Sequence, residues 1–261
     1  MLVNLTIPND QTNWDAVNKL RRDIIPATFG KLPDVQAYVT GDAAVILDTN
    51  KLYSDAIPYV FGFVLVMSFL LLLLAFHSII IPLTAIILNL LSTGAAYGAM
   101  VLVFQDGYLS EQIGFKVTGI IESFVPIFVF AVLFGLSMDY HLFILTRIKE
   151  LKDGGLSSVE AVTRGISGTS GTITSAAAIM VVVFLVFVAI PLMIIRQVGF
   201  GLAVAVFVDA AIIRSILLPA IMRLLGDWSW YIPGWLNWIP RLTIEAELET
   251  KIPLQVAKQE V

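Results

Sequence analysis

Long runs without a charged side chain dominate this chain: residues 57–76, 78–105, 123–138, 165–195 and 197–208. About 20 mostly apolar residues in a helix cross a bilayer core. The pattern therefore predicts five spanning helices, at 57–76, 79–104, 122–146, 170–193 and 198–222, within a transmembrane domain over 57–226. The first 56 residues read differently. Val3, Leu5 and Ile7 alternate as in a strand, and Pro8-Asn9 ends it. Trp14, Val17, Leu20 and Ile24 recur at helical spacing. Pro33-Asp34 is a turn signal, Val35, Ala37 and Val39 alternate again, and Asp42 is placed to cap a helix running into the membrane. The fold class expected is a mostly α, polytopic membrane protein with a short N-terminal βαβα segment.

Punctuation within the runs supports this division. His77 leaves almost no loop between the first two spans, which makes them antiparallel neighbours. Pro58, Pro82 and Pro126 fall near expected helix starts, where a missing N–H costs little. Gly94 and Gly98 form a small face suited to close helix packing, and Gly199 and Gly201 offer the same in the last helix. Pro219 falls in the last turns of that helix, where it can kink it. Residues 227–261 begin with a segment rich in Trp, Tyr and Pro (228–240) that suits the membrane–water interface, and end in a polar tail.

Composition excludes a soluble domain. The chain is 58% hydrophobic and 14% charged, with mean hydropathy +0.88, more apolar surface than 261 residues can hide. No basic tract points to nucleic acid. Without cysteine there is no disulfide and no thiolate metal site, and two histidines make no metal cluster. No cofactor is expected. Arg147, Lys149, Lys152 and Arg164 follow the third span, whereas Lys116 is the basic residue before it and Arg196 lies between the last two. The positive-inside rule puts the 147–164 loop and the C-terminus in the cytoplasm and residues 1–56 outside. No signal or spanning helix precedes those residues, so the natural start is expected upstream of Met1, after a further helix.

A carboxylate inside the third apolar run is the main candidate for chemistry. Asp139 lies eight residues before Arg147, about 12 Å from the cytoplasmic edge along a helix. Arg214, Thr174 and Ser175 fall in the same layer, and Asp209 lies deeper, at about 21 Å. A carboxylate in such a layer is costly to keep charged, so it suits proton uptake and release. Tyr140, about 100° round the helix from Asp139, would serve a partner helix rather than its neighbour. The competing reading is an Asp139–Arg214 ion pair that only holds helices together. Asp209 and Arg214 are about 140° apart on an α-helix, which predicts that one of them reaches another helix. The hydroxyls of Ser167, Thr169, Ser170, Thr172, Thr174 and Ser175 either line a wet path or bond their own helix carbonyls. Ser137 and His141 share one face as a protease dyad would, without an oxyanion hole or a wet pocket in view.

Phe134–Glu150 (FGLSMDYHLFILTRIKE) closely resembles the second Asp-Tyr motif of MmpL-type transporters in the resistance–nodulation–division superfamily. Gly41-Asp42-Ala43-Ala44 resembles the entry to the second membrane half of that family. Asp209–Met222 (DAAIIRSILLPAIM) resembles its last helix, and 228–240 its end. The resemblance covers nearly the whole chain. It implies one portion of a proton-driven exporter: the end of the second porter subdomain (1–56) and the last five helices, in the cell membrane. Asp139 and Tyr140 would be half of the proton relay, supported by Asp209, Arg214, Thr174 and Ser175. A second Asp-Tyr pair, on an N-terminal half, would face them. The implied partners are that half, membrane lipids, protons and a hydrophobic substrate such as a lipid, siderophore or drug. This sequence departs in having one Asp-Tyr pair and in His141, where the family often has an acidic residue. A non-transporting half that needs a partner chain and an intramembrane hydrolase using Ser137 and His141 remain as alternatives.

Overall fold

The computed structural model describes residues 10–32, 35–115 and 119–236. The chain divides into two compact units, residues 1–59 and 60–261. In the first, α1 (Asp10–Lys19) continues through a π turn over Leu20–Ile24 into α2 (Ile25–Thr28). That π turn ends two residues before Pro26, whose ring leaves no N–H for a helical bond. Arg21 pairs with Asp48 and donates to the carbonyl oxygen of Val39 at 3.2 Å. The second expected strand, Val35–Val39, is not one: no strand occurs among the described residues. An alternating segment forms a ladder only beside another strand, and here Arg21 from the helical stretch takes up the Val39 carbonyl. The first expected strand and the Pro33-Asp34 turn lie outside the described residues.

Five helices are long and apolar enough to cross a membrane, making this a mostly α, polytopic membrane protein. The first is α3 (Asp42–Phe76), which begins earlier than its apolar run. Gly41, at φ 113°, accepts the first helical bond from Val45, so Gly41 rather than Asp42 stands at the cap. At about 1.5 Å per residue the helix exceeds a bilayer core of about 30 Å. Pro58 consequently lies inside it and not at its start.

The second unit continues with α4 (Ile80–Met100), extended by a π segment over Val101–Gln105, and the single turn α5 (Ser110–Ile113). α6 (Phe124–Asp153) and α7 (Ser158–Val188) follow. α7 starts well before residue 170. Ser157 caps it, accepting from the Glu160 N–H at 3.3 Å while its hydroxyl donates to the Glu160 carboxylate at 3.0 Å. The last membrane helix has three parts: α8 (Met193–Val208), a π segment over Asp209–Leu217, and α9 (Leu218–Leu225).

α8 is the centre of the bundle, in contact with α4, α6 and α7. Its glycines make the approach possible. A Cβ on Gly199 would lie 2.7 Å from the Phe184 carbonyl oxygen of α7, and one on Gly201 would lie 2.6 Å from Met100 Sδ of α4. Gly165 lets α7 reach Ile148 of α6 in the same way. Gly94 and Gly98 behave differently: a Cβ there meets nothing within 4 Å, and both face outward. Two apolar clusters fill the bundle. One gathers Phe76, Leu88, Leu145 and Met222, the other Met100, Phe104, Val129 and Leu202. Polar side chains bind each end. Ser78, in the turn after His77, donates to the Ser229 carbonyl at 2.6 Å; Lys152 pairs with Asp227 at 3.0 Å and lies over the Trp230 ring. At the other end buried Gln197 donates to the Ile120 carbonyl at 2.9 Å and accepts from the Glu122 N–H at 3.0 Å. Trp228 and Tyr231 are exposed, as an interfacial segment requires. The tail over 241–261 lies outside the described residues.

Candidate functional site

Between the two apolar clusters lies a buried polar one, built from three helices. α4 contributes Asn89, α6 contributes Ser137 and His141, and the last helix contributes Asp209 and Arg214; all are buried. Arg214 Nη2 lies 2.5 Å from Asp209 Oδ2. On an α-helix residues five apart diverge, yet these two meet. The cause is the π segment: it closes bonds between residues i and i+5, bringing such pairs round to one face. Ser215 follows the same geometry, its hydroxyl donating to the Ala210 carbonyl at 2.8 Å. The segment ends two residues before Pro219, the relation already seen at Pro26. The expectation that Asp209 and Arg214 are not a same-face pair is thus corrected, as is the Asp139–Arg214 pair, whereas the expected reach to another helix is met by the bonds of both to Ser137 on α6.

Ser137 is the hub. Its Oγ is 2.5 Å from Asn89 Oδ1, 3.2 Å from Asp209 Oδ1, 3.2 Å from Arg214 Nη2 and 3.3 Å from His141 Nδ1. Arg214 Nη2 also donates to the Ser137 carbonyl oxygen at 3.2 Å. The Arg214 guanidinium stacks 4.5 Å from the centre of the Tyr140 ring, a favourable site for a desolvated cation. A buried ion pair costs desolvation unless its remaining donors and acceptors are used. Ser137 and Tyr140 supply part of that compensation. A small cleft of about 10 Å³ adjoins the pair, lined by Leu133, Ser137, Tyr140 and Ala177 among others.

Asp139 stands apart. It is exposed, on the outward stripe of α6 with Ala131, Gly135 and Phe143, each four residues from the next. Among the described residues no hydrogen bond or ion pair reaches it. Tyr140, half-buried, turns inward over Arg214, and its hydroxyl contacts Met180 Sδ at 3.6 Å, a weak acceptor. Thr174 and Ser175 are exposed on α7 and do not join the cluster; the Ser175 hydroxyl donates to its own helix at Thr172, 2.9 Å away. Thr163, Ser167, Thr169 and Ser170 bond back to their helix likewise. Ser137 and His141 do meet, but the hydroxyl is 1% exposed and engaged by the ion pair. A nucleophile needs a pocket that admits a substrate, and the cleft that Ser137 lines is too small for one.

Asn89 escapes a search for charges. Its signal is an amide in the middle of a charge-free run, where a polar side chain needs a partner. Ser92 beside it ties α4 to α8, donating to the Ala205 carbonyl at 3.0 Å.

The sequence profile of the MMPL family matches residues 1–242. The chain is 37% identical over 246 residues to the mycolic acid-containing lipids exporter MmpL11 of Mycolicibacterium smegmatis, covering 94% of this chain and 25% of that protein. It is 40% identical over 221 residues to the heme uptake protein MmpL11 of Mycobacterium tuberculosis, 82% of this chain and 23% of that one. To the trehalose monomycolate exporter MmpL3 of Mycolicibacterium smegmatis it is 33% identical over 203 residues, 78% of this chain and 20% of that protein. The chain spans about a quarter or less of the length of these relatives. It belongs to the MMPL family, whose members are membrane transporters.

Proposed function

We propose that this chain is part of a proton-driven exporter of hydrophobic or amphipathic compounds, lipids foremost, in which Asp139 takes up and releases the coupling proton. The observation that carries this reading is the outward position of Asp139. A carboxylate facing acyl chains is costly, and intramembrane carboxylates face a bundle interior or a wet cavity. Its stripe is also small, with Ala131 and Gly135, and the outward Gly94 and Gly98 of α4 leave similar room. Such faces suit close approach by further helices. A second membrane half carrying its own Asp-Tyr pair would fill that place. Tyr140 would exchange its weak sulfur acceptor for the opposing carboxylate. The Asp209–Arg214 pair holds the relay layer, and the small adjoining cleft has space for about one water. Thr174 and Ser175, on the outward face of α7, would line the route from the cytoplasm.

Export of lipids is the cargo that two of the relatives share. The basic residues Arg147, Lys149, Lys152 and Arg164 at one end of α6 and α7 favour a cytoplasmic position for that end in the cell membrane, with residues 1–56 on the far side. The test is Asp139→Asn in the full-length transporter, followed by export of a labelled mycolate-type lipid from proteoliposomes under an imposed proton gradient. Normal insertion with loss of export is expected. Export that still follows the proton gradient in this variant would remove Asp139 from the mechanism.

A further inference from the structure

His141 is the one titratable side chain of the buried cluster that the transport reading leaves without a task. The imidazole is fully buried on α6. Its Nδ1 lies 3.0 Å from the Ser137 carbonyl oxygen and 3.3 Å from Ser137 Oγ. A carbonyl oxygen only accepts, so Nδ1 carries a proton. The Ser137 hydroxyl oxygen faces two donors. Arg214 Nη2, a donor in every state, shares its protons between Asp209 Oδ2 and Ser137, and the Nδ1–H is shared between the Ser137 carbonyl oxygen and Oγ. Its single proton must go to an acceptor, and two are within reach: Asn89 Oδ1 at 2.5 Å on α4 and Asp209 Oδ1 at 3.2 Å on the last helix.

Charge fixes the other imidazole nitrogen. Asp209 and Arg214 neutralise one another. A second proton on His141 would leave a net positive charge in a buried site beside Arg214, which is costly. Nε2 is therefore a bare lone pair, and among the described residues it has no protein partner. In water a neutral imidazole prefers the opposite arrangement, with its proton on Nε2, so the site selects the minor tautomer.

We propose that His141 is a positioning residue, a neutral Nδ1-protonated imidazole that makes the Ser137 hydroxyl a two-position switch, donating to Asn89 in one state and to Asp209 in the other. Because the two acceptors sit on different helices, each position of the hydroxyl favours a different packing of α4 and the last helix against α6. The role in transport rests on the reading of this cluster as transport machinery; the tautomer does not.

The experiment uses the full-length transporter in lipid bilayers, labelled with ¹⁵N-histidine, with the His141 signals assigned by their loss in His141→Asn. A protonated Nδ1 and an unprotonated Nε2 are expected; an Nε2–H tautomer or an imidazolium would overturn the proposal. Export by His141→Leu, Ser137→Ala and the double variant tests the switch. Each single variant should slow export, the double should be no slower than Ser137→Ala, and His141→Asn, whose amide can still donate, should recover part of the loss. Losses that multiply in the double variant, or normal export by both single variants, would overturn the switch even with the tautomer as expected. Proton-driven export by Asp139→Asn would instead remove the proton reading and leave the tautomer standing.

Discussion

Two carboxylates lie in the membrane helices in opposite circumstances. Asp209 is buried at 4% exposure with Arg214 on it, Ser137 beside it and the Tyr140 ring beneath its partner. Asp139 lies on the outward stripe of α6, away from that network. Burial with a partner makes a charge part of the architecture, since removing either member strands the other. Exposure on an otherwise apolar and small-residue face makes a charge available to whatever meets that face. On the proposed function the difference separates two jobs: one carboxylate would hold the helices, and the other would carry the proton.

Substitutions should separate the jobs in the same way. The largest effect is expected from Asp139→Asn, which should abolish proton-coupled export yet shift thermal unfolding by no more than about 0.5 kcal/mol, as for an exposed position. Arg214→Leu should do the reverse first, destabilising the purified protein by about 3–5 kcal/mol by leaving Asp209 buried without its counter-charge. The double change Asp209→Leu with Arg214→Leu should regain most of that loss in an unfolding assay, and a double variant as unstable as the single would show that the pair is not the unit. Glycines should sort by face. Gly199→Ala puts a Cβ 2.7 Å from a backbone oxygen and should cost about 1–3 kcal/mol through overpacking, whereas Gly98→Ala, with nothing within 4 Å in this chain, should cost stability only where a further helix packs on that face. Smallest of all, Thr174→Val and Ser175→Ala should alter stability by less than about 0.5 kcal/mol. A large loss from either would place α7's outward face inside the folded core of the assembly.

Five membrane helices were legible because three charge-free runs (57–76, 78–105 and 165–195) are long enough to span and the other two (123–138 and 197–208) continue into mostly apolar sequence past an isolated charge. Their ends were less so. The serine- and glycine-rich stretch over 165–172 hides the start of α7, although Ser157 and Glu160 mark a cap ahead of it. The polar first turns of α3 conceal that the helix already begins at Asp42. The site was legible in its parts but not in its pairing. Asp139, Tyr140, Asp209 and Arg214 announce themselves as polar groups in apolar runs, and α-helical spacing then sends Asp209 and Arg214 to different faces. The π segment reverses that result, and its signal is only the nearby Pro219, which α-helical reasoning treats as a kink. Asn89 and Gln197 carry no charge, so a scan for ionisable groups passes over them, yet they tie α4 to α6 and the 120–122 loop to α8. The expected strand over Val35–Val39 failed because alternation describes one strand and a ladder needs two.

The division between a holding and a working carboxylate is tested most directly by infrared difference spectroscopy of the full-length transporter in membranes, acid against neutral pH. A protonated-carboxyl stretch should appear in the wild type, persist in the Asp209→Asn variant and vanish in Asp139→Asn. The same stretch surviving in Asp139→Asn and lost in Asp209→Asn would contradict the account, making the buried pair the proton carrier and the outward carboxylate a bystander.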